Sequence, residues 1–243
     1  MVLFCLGYPE QAAARSSAAI AEARNLAHPP SLASSMALGA RLLSLHASST
    51  ALGERLDQLV AVTTEYGLPH WRSQATIFRG WAKVNNGDIA EGISLLRSGS
   101  AAYRATGAQV WMPYHLALLA SACEIAAQIQ DSAALLDDAL QTIERTGERW
   151  FAAELNRLKG QLLLRRGHHQ AAEELYHRAL SIAEEQEAKL WELRAAASLA
   201  RLRRDEGRQA EARDILAPVY GWFTEGFGTP DLKETKALLD ELA

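Results

Sequence analysis

Residues 160–179, GQLLLRRGHHQAAEELYHRA, carry two helical patterns on either side of a turn signal. Leu158, just before this segment, and Leu162 recur at the spacing of one helical face. Gly167 stands where a residue in the left-handed conformation commonly ends a helix. Tyr176 belongs to the apolar stripe of the helix that follows. The segment therefore predicts two amphipathic helices joined by a tight turn.

The first helix of this pair is predicted over residues 154–166 and the second over 168–186. Small residues lie where the two helices face each other, with Gly160 on the first helix and Ala172 and Ala179 on the second. Two helix backbones approach closely when no large side chain separates them. A pair of this kind buries its apolar faces only when neighbouring pairs stack against it.

The same pattern recurs with a period of 40 residues in four columns of the sequence. Aromatic residues form the first column: Trp71, Trp111, Phe151 and Trp191. Small residues form the other three: Gly67, Gly107 and Gly147; Gly7, Ala47, Gly87, Ala127, Gly167 and Gly207; and Ala40, Gly80, Ala120, Gly160 and Ala200. We expect each aromatic residue just before a first helix, wedged between neighbouring pairs, and the small residues at turns and helix crossings. A fixed period without insertions is typical of a helical repeat protein.

The composition supports a helical, globular chain. The 243 residues include 45 Ala and 36 Leu, which favour helices, and only 25 β-branched Val, Ile and Thr. Hydrophobic residues make up 49% and charged residues 22%, so the chain can bury a core. The net charge of −4 argues against a nucleic-acid-binding protein, which needs a basic surface. The apolar runs are too short to span a membrane, and two cysteines form no disulfide framework.

The central helix pair closely resembles the tetratricopeptide repeat. Gly160 matches the small residue of that family's first helix, and Gly167 matches its turn. Ala172, Tyr176 and Ala179 match the signature of its second helix. The period of 40 residues, rather than the 34 of the standard repeat, implies helices that are longer by about one turn.

Three segments resemble the C-terminal repeat region of large bacterial signalling proteins: TGERW at 146–150, ELNRLKG at 154–160 and WFTEGFGTPDL at 222–232. In those proteins an adenylate-cyclase-type or helix-turn-helix module and a regulatory ATPase precede the repeats. The resemblance implies that this chain is a regulatory part of a signal-transduction protein. No phosphate-binding Gly-x-x-x-x-Gly-Lys-Ser/Thr motif occurs in the sequence, so the ATPase chemistry would lie upstream of it.

The period and the resemblance together predict a single all-α domain over residues 1–243. Its class is an alpha-alpha superhelix, a right-handed tetratricopeptide-like solenoid of about five helix pairs of 40 residues. An N-terminal half-unit, five repeats and a C-terminal capping helix are expected with these bounds: 1–32; 33–72, 73–112, 113–152, 153–192 and 193–228; and 229–243.

The two ends of the array differ. Residues 8–26 form a second helix without a first helix, so we expect Phe4 and Leu6 to leave an exposed apolar flank. That flank predicts either a piece of a longer protein or a homodimer formed through the N-terminal half-unit. At the other end a capping residue, Thr229, precedes a last helix that continues to about Leu242.

The first helices of tetratricopeptide arrays line a concave face, and the resemblance therefore implies a binding groove on these helices. The side chains expected to face this groove are Arg41, Trp81, Tyr114, Glu124, Arg157, Gln161, Arg165, Arg194, Arg201 and Arg204. The arginines of the last two units are expected to form a basic stripe. Arginine forks bind carboxylates, so an acidic or C-terminal peptide segment is the expected ligand. The alternative is that these arginines pair with acidic residues of adjacent units.

Residues that suggest catalysis or metal binding have simpler structural explanations. His169, Glu173 and His177 lie on one helical face at a spacing that suits a metal, but no fourth ligand accompanies them, so a solvated helix surface is preferred. Cys123 lies in a core column and is expected to be a buried, inert thiol. We therefore expect no enzymatic activity, no metal and no cofactor.

The expected function is that of a non-catalytic scaffold that binds a peptide or protein partner in the concave groove. Two alternatives are a small-effector sensor of an ATPase or transcriptional regulator, and a self-association module. A closed pocket of apolar residues and arginine favours the sensor, whereas an open charged trough favours peptide binding. No direct nucleic-acid or membrane binding is expected. Without a signal peptide or a disulfide framework, the cytoplasm is the expected location.

Overall fold

The computed structural model describes residues 1–45 and 49–243, and these ranges contain helices and turns but no strand. The helices are α1 (Val2–Cys5), α2 (Pro9–Asn25), α3 (Pro29–Leu45), α4 (Ser49–Glu65), α5 (Pro69–Asn85), α6 (Ile89–Ala105), α7 (Met112–Ile125), α8 (Ile129–Thr146), α9 (Ala152–Arg165), α10 (His169–Glu185), α11 (Lys189–Asp205), α12 (Gln209–Gly221) and α13 (Pro230–Glu241). The bounds of α9 and α10 agree with the sequence prediction to within two residues. The expected fold class, an all-α tetratricopeptide-like array of the alpha-alpha superhelix class, is confirmed.

Turns recur every 20 residues over much of the chain, because helices of 17 residues alternate with turns of three. A residue with a positive φ recurs in these turns: Gly7, Ala27, Gly67, Gly87, Gly107, Ala127, Gly147, Gly167, Glu187 and Gly207. Trp111, directly before α7, has a positive φ (71°) as well. Ala47, a member of the same series, lies outside the described residues. The period of 40 in the sequence therefore spans two turns of similar geometry. Ala27 and Glu187 extend the column of Gly67, Gly107 and Gly147 by one period at each end, and the column predicted from the sequence did not include them.

The backbone hydrogen bonds of these turns explain why they tolerate different residues. At Gly167 (φ 81°), the N–H of His168 donates to the carbonyl of Leu163 at 3.0 Å, and the N–H of Gly167 donates to that of Leu164 at 2.9 Å. This pair of bonds satisfies the last carbonyls of a helix. The same pattern closes the turn at Glu187, where φ is 53°. The turn is thus determined by the backbone, and glycine adopts it at the lowest cost.

Contacts divide the described residues into two compact units. Unit 1 comprises Met1 and Ala12–Thr142, and unit 2 comprises Val2–Gln11 and Ile143–Ala243. Each unit contains apolar clusters of its own. The single domain and the repeat bounds expected from the sequence stay predictions.

In unit 1, α5 and α6 approach so closely that only glycine fits at their crossing. A Cβ atom on Gly80 would lie 2.8 Å from the carbonyl oxygen of Gly92 and 2.8 Å from the amide nitrogen of Leu96. A Cβ atom on Gly92 would lie 2.5 Å from a methyl group of Val84. The predicted role of Gly80 in the close approach of two helices is confirmed.

In unit 2, Gly160 occupies the same column as Gly80 but packs against a side chain instead of a helix backbone. A Cβ atom on Gly160 would lie 2.8 Å from the ring of Tyr176, which is fully buried between α9 and the helices around it. Phe151 and Trp191 belong to the aromatic column, and their rings meet at 90° with centroids 5.4 Å apart. The predicted aromatic wedge between neighbouring pairs is therefore present in unit 2. Trp191 lies inside the first turn of α11, however, and not before the helix.

The N-terminal segment differs from the sequence prediction. Phe4 has no exposed surface, and its ring packs edge-on against Trp191 with centroids 6.0 Å apart. The carboxylate of Glu225 accepts hydrogen bonds from the backbone N–H groups of Glu10 (2.9 Å) and Gln11 (3.1 Å) at the start of α2. The expected exposed apolar flank at Phe4 is wrong, because unit 2 buries that side chain. The homodimer through the half-unit stays a prediction, without the exposed Phe4 that suggested it.

The predicted last helix is present as α13, which Thr229 precedes in an extended conformation and Pro230 begins. Leu232 and Leu238 are its buried apolar residues, and they attach it to the rest of unit 2. Over the described ranges, none of the helices combines the length and the hydropathy that crossing a bilayer requires.

Candidate functional site

Four of the predicted groove residues line one cleft of about 270 Å³ in unit 2. Its walls come from α9, α11 and α13: Arg157, Gln161, Leu193, Arg194, Ala197, Arg201, Asp231, Glu234 and Thr235. The lining is mostly polar and carries charges of both signs. Arg165 and Arg204 do not belong to it.

Helical spacing and the repeat period together place these side chains in the cleft. Arg157 and Gln161 are four residues apart on α9, and Arg194 and Arg201 are seven residues apart on α11, so each pair shares one face of its helix. Gln161 and Arg201 occupy the same column of adjacent repeats, 40 residues apart. Identical register of two first helices therefore aligns their polar faces.

A buried ion-pair network forms the inner wall of the cleft. The carboxylate of Glu154 accepts two hydrogen bonds from Arg157, both 2.8 Å long, and one from Arg194 at 3.1 Å. Arg194 also donates through Nε (2.7 Å) and Nη2 (3.0 Å) to the two carboxylate oxygens of Asp231. Two arginines and two acids thus join α9, α11 and α13 with no net charge.

Electrostatics hold this network in its ionised form. Burial by itself raises the pKa of Glu154, but the charges of Arg157 and Arg194 outweigh burial and lower it to about 2. Burial lowers the pKa of Arg194, and Asp231 and Glu154 more than offset that effect and raise it above its ordinary value. Removal of one partner from a buried ion pair strongly destabilises the folded protein, because the other charge is left uncompensated.

The outer edge of the cleft is held more weakly. Arg201 lies 3.6 Å from the carboxylate of Glu234, and their side chains are 42% and 69% exposed. An exposed pair at this distance contributes little, because water and salt screen it. Arg201 is therefore held more weakly by its acidic neighbour than Arg157 and Arg194 are by theirs. Arg204 pairs with Asp205 and Glu241 outside the cleft, and Arg165 is exposed at the end of α9.

The expected basic stripe is thus a mixed-charge surface. Sequence reasoning treated α13 as a lid and missed that it contributes Asp231 and Glu234 to the cleft. It also missed Glu154, which is buried behind the arginines. The 40-residue register contained the signal, because Glu154, Arg194 and Glu234 occupy one column of charged residues. Asp231 stands where Trp191 stands one repeat earlier.

The predicted groove residues of unit 1 lie elsewhere, in a largely buried cluster. Arg41 is 1% exposed, donates to the side chain of Gln74 at 2.7 Å and lies 3.9 Å above the ring of Trp111. Tyr114 is also 1% exposed and hydrogen-bonds at 2.7 Å to the hydroxyl of Ser44.

Trp81 is half-buried and reaches the same cluster, where its indole N–H donates to the carbonyl of Ser44 at 3.2 Å. Glu124 is also half-buried. For these residues of unit 1, a part in ligand binding stays a prediction.

A buried histidine completes this cluster. His115 has no exposed surface, and neither ring nitrogen has a hydrogen-bond partner among the described residues. Its ring lies 5.0 Å from that of Tyr103 and 6.0 Å from that of Phe78. Burial, aided by the charges of Arg41 and His70, lowers the pKa of His115 well below its ordinary value.

The other chemical candidates from the sequence are placed as follows. Glu173 accepts a hydrogen bond from Arg203 and lies 3.6 Å from the imidazole of His177. No three His, Cys, Asp or Glu side chains within residues 1–45 and 49–243 are grouped to hold a metal. Cys123 is fully buried, and burial raises the pKa of its thiol.

Comparison of sequences gives one partial relative. An uncharacterized protein of Rhizobium meliloti (strain 1021) is 30% identical over 130 residues. The match covers 53% of this chain, and this chain spans only 13% of that relative's length. No protein-family model matches the chain.

Comparison of structures shows the fold. BtubC of P. vanneervenii aligns over 96% of this chain and 92% of its own, with a TM-score of 0.62 and 14% identity. A kinesin light chain of Podosopora anserina with nearly identical TPR-like repeats aligns over 80% and 95%, with a TM-score of 0.53 and 20% identity. A Rap protein in complex with competence and sporulation factor aligns over 86% and 63%, with a TM-score of 0.61 and 13% identity. These similarities establish the tetratricopeptide-like helical repeat fold of the chain.

Proposed function

We propose that the chain is a non-catalytic interaction module that binds a segment of a peptide or protein partner, with the cleft of unit 2 as a contact site. The observation that carries the proposal is the convergence of Arg157, Gln161, Arg194 and Arg201 on one solvent-accessible cleft. These residues come from two consecutive first helices, and α13 completes the walls.

The character of the cleft favours a peptide over a small effector. Its outer edge is formed by Arg201 and Glu234, whose side chains are 42% and 69% exposed, so the site is an open charged trough and not a closed apolar pocket. Guanidinium groups bind carboxylates through two parallel hydrogen bonds, so an acidic side chain or a free C-terminus is the expected group of the ligand. The Rap protein that shares this fold was crystallised with competence and sporulation factor, which supports binding of a partner within such an array.

We also propose a setting for the module, as a regulatory part of a larger bacterial signal-transduction protein of the cytoplasm. The resemblance to repeat regions of adenylate-cyclase- and ATPase-type signalling proteins supports this setting. The size of the Rhizobium meliloti relative supports it as well, because the matched segment is only 13% of that protein.

A charge reversal at the edge of the cleft tests the proposal. Fluorescein-labelled acidic decapeptides, each with a free or an amidated C-terminus, are titrated with the wild-type chain and with R201E. We expect R201E to lose at least about tenfold in affinity, the scale of one hydrogen bond to a charged group. R213E is the matched control, since Arg213 is exposed on α12 and does not line the cleft. Equal loss in both variants, or no loss in R201E, would contradict the assignment of the cleft.

A further inference from the structure

The aromatic column ends in an acid at the position where α13 continues the series of first helices. Trp71, Trp111, Phe151 and Trp191 precede it at intervals of 40 residues, and the next member is Asp231. Phe151 and Trp191 pack against each other, whereas Asp231 lines the cleft. The column thus holds a packed aromatic residue in the earlier repeats and a charged residue in α13, which forms a wall of the cleft.

The carboxylate of Asp231 binds Arg194 as a ligand carboxylate would. Its two oxygens accept from Nε and Nη2 of the guanidinium at 2.7 and 3.0 Å, the parallel two-bond geometry of the Arg–carboxylate pair. The two side chains are 15% and 17% exposed, and both line the cleft. A carboxylate of the chain itself is therefore bound to an arginine that lines the cleft.

We propose that Asp231 is an internal ligand of the cleft, which occupies Arg194 and thereby limits the affinity of the cleft for acidic partners. The inference rests on the proposed function, since it concerns the same site. An acidic partner first engages Arg201 at the exposed edge. A second carboxylate of that partner then takes the place of Asp231 on Arg194.

The other charges of the cleft explain why Asp231 has this effect and its neighbours do not. Arg157 is held by two bonds to Glu154, whose side chain is only 4% exposed, so a ligand cannot displace that acid from the inside of the wall. Glu234 is 69% exposed and lies 3.6 Å from Arg201, so it competes weakly. Asp231 is the acid that combines close two-bond pairing with a position on the cleft surface.

Substitution of Asp231 in the full chain tests the inference. The probe is a fluorescein-labelled octapeptide of alternating Glu and Gly with a free C-terminus, and the readout is fluorescence anisotropy at low salt. We expect D231N to bind at least tenfold more tightly than the wild-type chain. E234Q is the matched control, because it removes the same charge from the same cleft, and its gain is expected to stay below threefold.

Two further variants make the test specific. D231E retains a carboxylate and is expected to show no gain, and the double variant D231N/R194Q is expected to lose the gain of D231N. Equal gains in D231N and E234Q would overturn the inference, while binding that depends on Arg201 would still support the proposed function. Binding by no variant at all would overturn both for acidic ligands.

An NMR measurement covers the case in which D231N does not fold. The Nε–Hε resonance of Arg194 is followed in the wild-type chain during titration with the same octapeptide, and saturation is expected to shift it. Binding of the peptide with an unchanged Arg194 resonance would overturn the inference.

Discussion

The ring of Phe4 lies edge-on against the indole of Trp191, with the centroids 6.0 Å apart, although 187 positions separate the two residues in the sequence. Neither side chain has exposed surface. Phe4 belongs to the four-residue helix α1 and lies outside the 40-residue register, yet its ring packs against a residue of the aromatic column. Burial of this ring, together with the contact of Tyr8 with Trp222 at 5.6 Å between centroids, packs the N-terminal segment into unit 2.

Truncation of Phe4 is expected to destabilise unit 2. F4A removes a fully buried ring and leaves a cavity beside Trp191, so we expect a loss of about 3–5 kcal/mol in the free energy of unfolding. Urea denaturation followed by Trp fluorescence measures it. V2A is the control, because Val2 is 73% exposed and its truncation is expected to change stability by less than about 0.5 kcal/mol. A loss in F4A as small as that in V2A would contradict the docked N-terminal segment.

A pair of Gly→Ala substitutions tests the close helix crossing in unit 1. In G80A the new methyl group would lie 2.8 Å from two backbone atoms of α6, so α5 and α6 must separate and we expect a loss of about 1–3 kcal/mol. In G53A the new methyl group meets nothing within 4 Å, and the higher helix propensity of Ala is expected to stabilise α4 by about 0.5–1 kcal/mol. Thermal unfolding of both variants measures the two changes in stability, a loss for G80A and a gain for G53A. The same sign in both would show that the crossing does not depend on Gly80.

Neutralisation of Glu154 is expected to disrupt the wall of the cleft. E154Q leaves Arg157 and Arg194 buried without their shared carboxylate, and we expect a loss of about 3–5 kcal/mol in stability. Urea denaturation at pH 7 measures this loss. E234Q serves as the control, since its exposed carboxylate is expected to contribute less than about 1 kcal/mol.

The low pKa of Glu154 predicts that the protein loses stability in acid. The pKa of Glu154 is lowered from 4.5 to about 2, because Arg157 and Arg194 outweigh the opposing effect of burial. The stabilisation is therefore fully present above pH 4.5 and is lost as the pH falls towards 2, by roughly 3 kcal/mol in total. Stability curves of wild type and E154Q measured between pH 5 and pH 2 are expected to converge. Parallel curves would contradict the ionised state of the buried network.

His115 predicts a second pH dependence, at higher pH. Burial and the charges of Arg41 and His70 lower its pKa well below 6.5, so only the unfolded chain takes up a proton on this residue just below pH 6.5. This residue therefore leaves stability unaffected well above pH 6.5 and lowers it as the pH decreases below 6.5, by at most about 1.4 kcal/mol per pH unit. Denaturation of the wild type and H115F between pH 7 and pH 5 measures that slope.

The variant H115F removes the proton acceptor and is expected to remove this part of the slope. Arg41 on α3, His70 on α5, Tyr103 on α6 and Tyr114 on α7 lie around His115, and all of them remain in the variant. H168Q is the control on an exposed position and is expected to keep the slope of the wild type. An unchanged slope in H115F would assign the pH dependence to another group.

Local chemistry and periodicity suffice to derive the helix pairs. Leucines at helical spacing predict α9, and Gly167 predicts its end, so residues close together in the chain are enough to derive the helix and its turn. The 40-residue register then carried this pattern through the sequence, and it also aligned Gln161 with Arg201 on one face of two helices. Even so, Glu187 shows the limit of pattern reading, because its backbone forms the same turn as Gly167 without the glycine that signals it.

The pairing of Asp231 with Arg194 and the burial of Phe4 came only from the folded chain. A helix presents its side chains at a spacing that its own residues determine, so faces and turns follow from short stretches of sequence. Which arginine meets which acid depends on where α13 packs against α11, and that depends on apolar contacts made far apart in the chain. In water, an arginine interacts about equally weakly with any nearby acid. Packing of the helices excludes water from one pair, and the attraction within that pair then becomes stronger than the others.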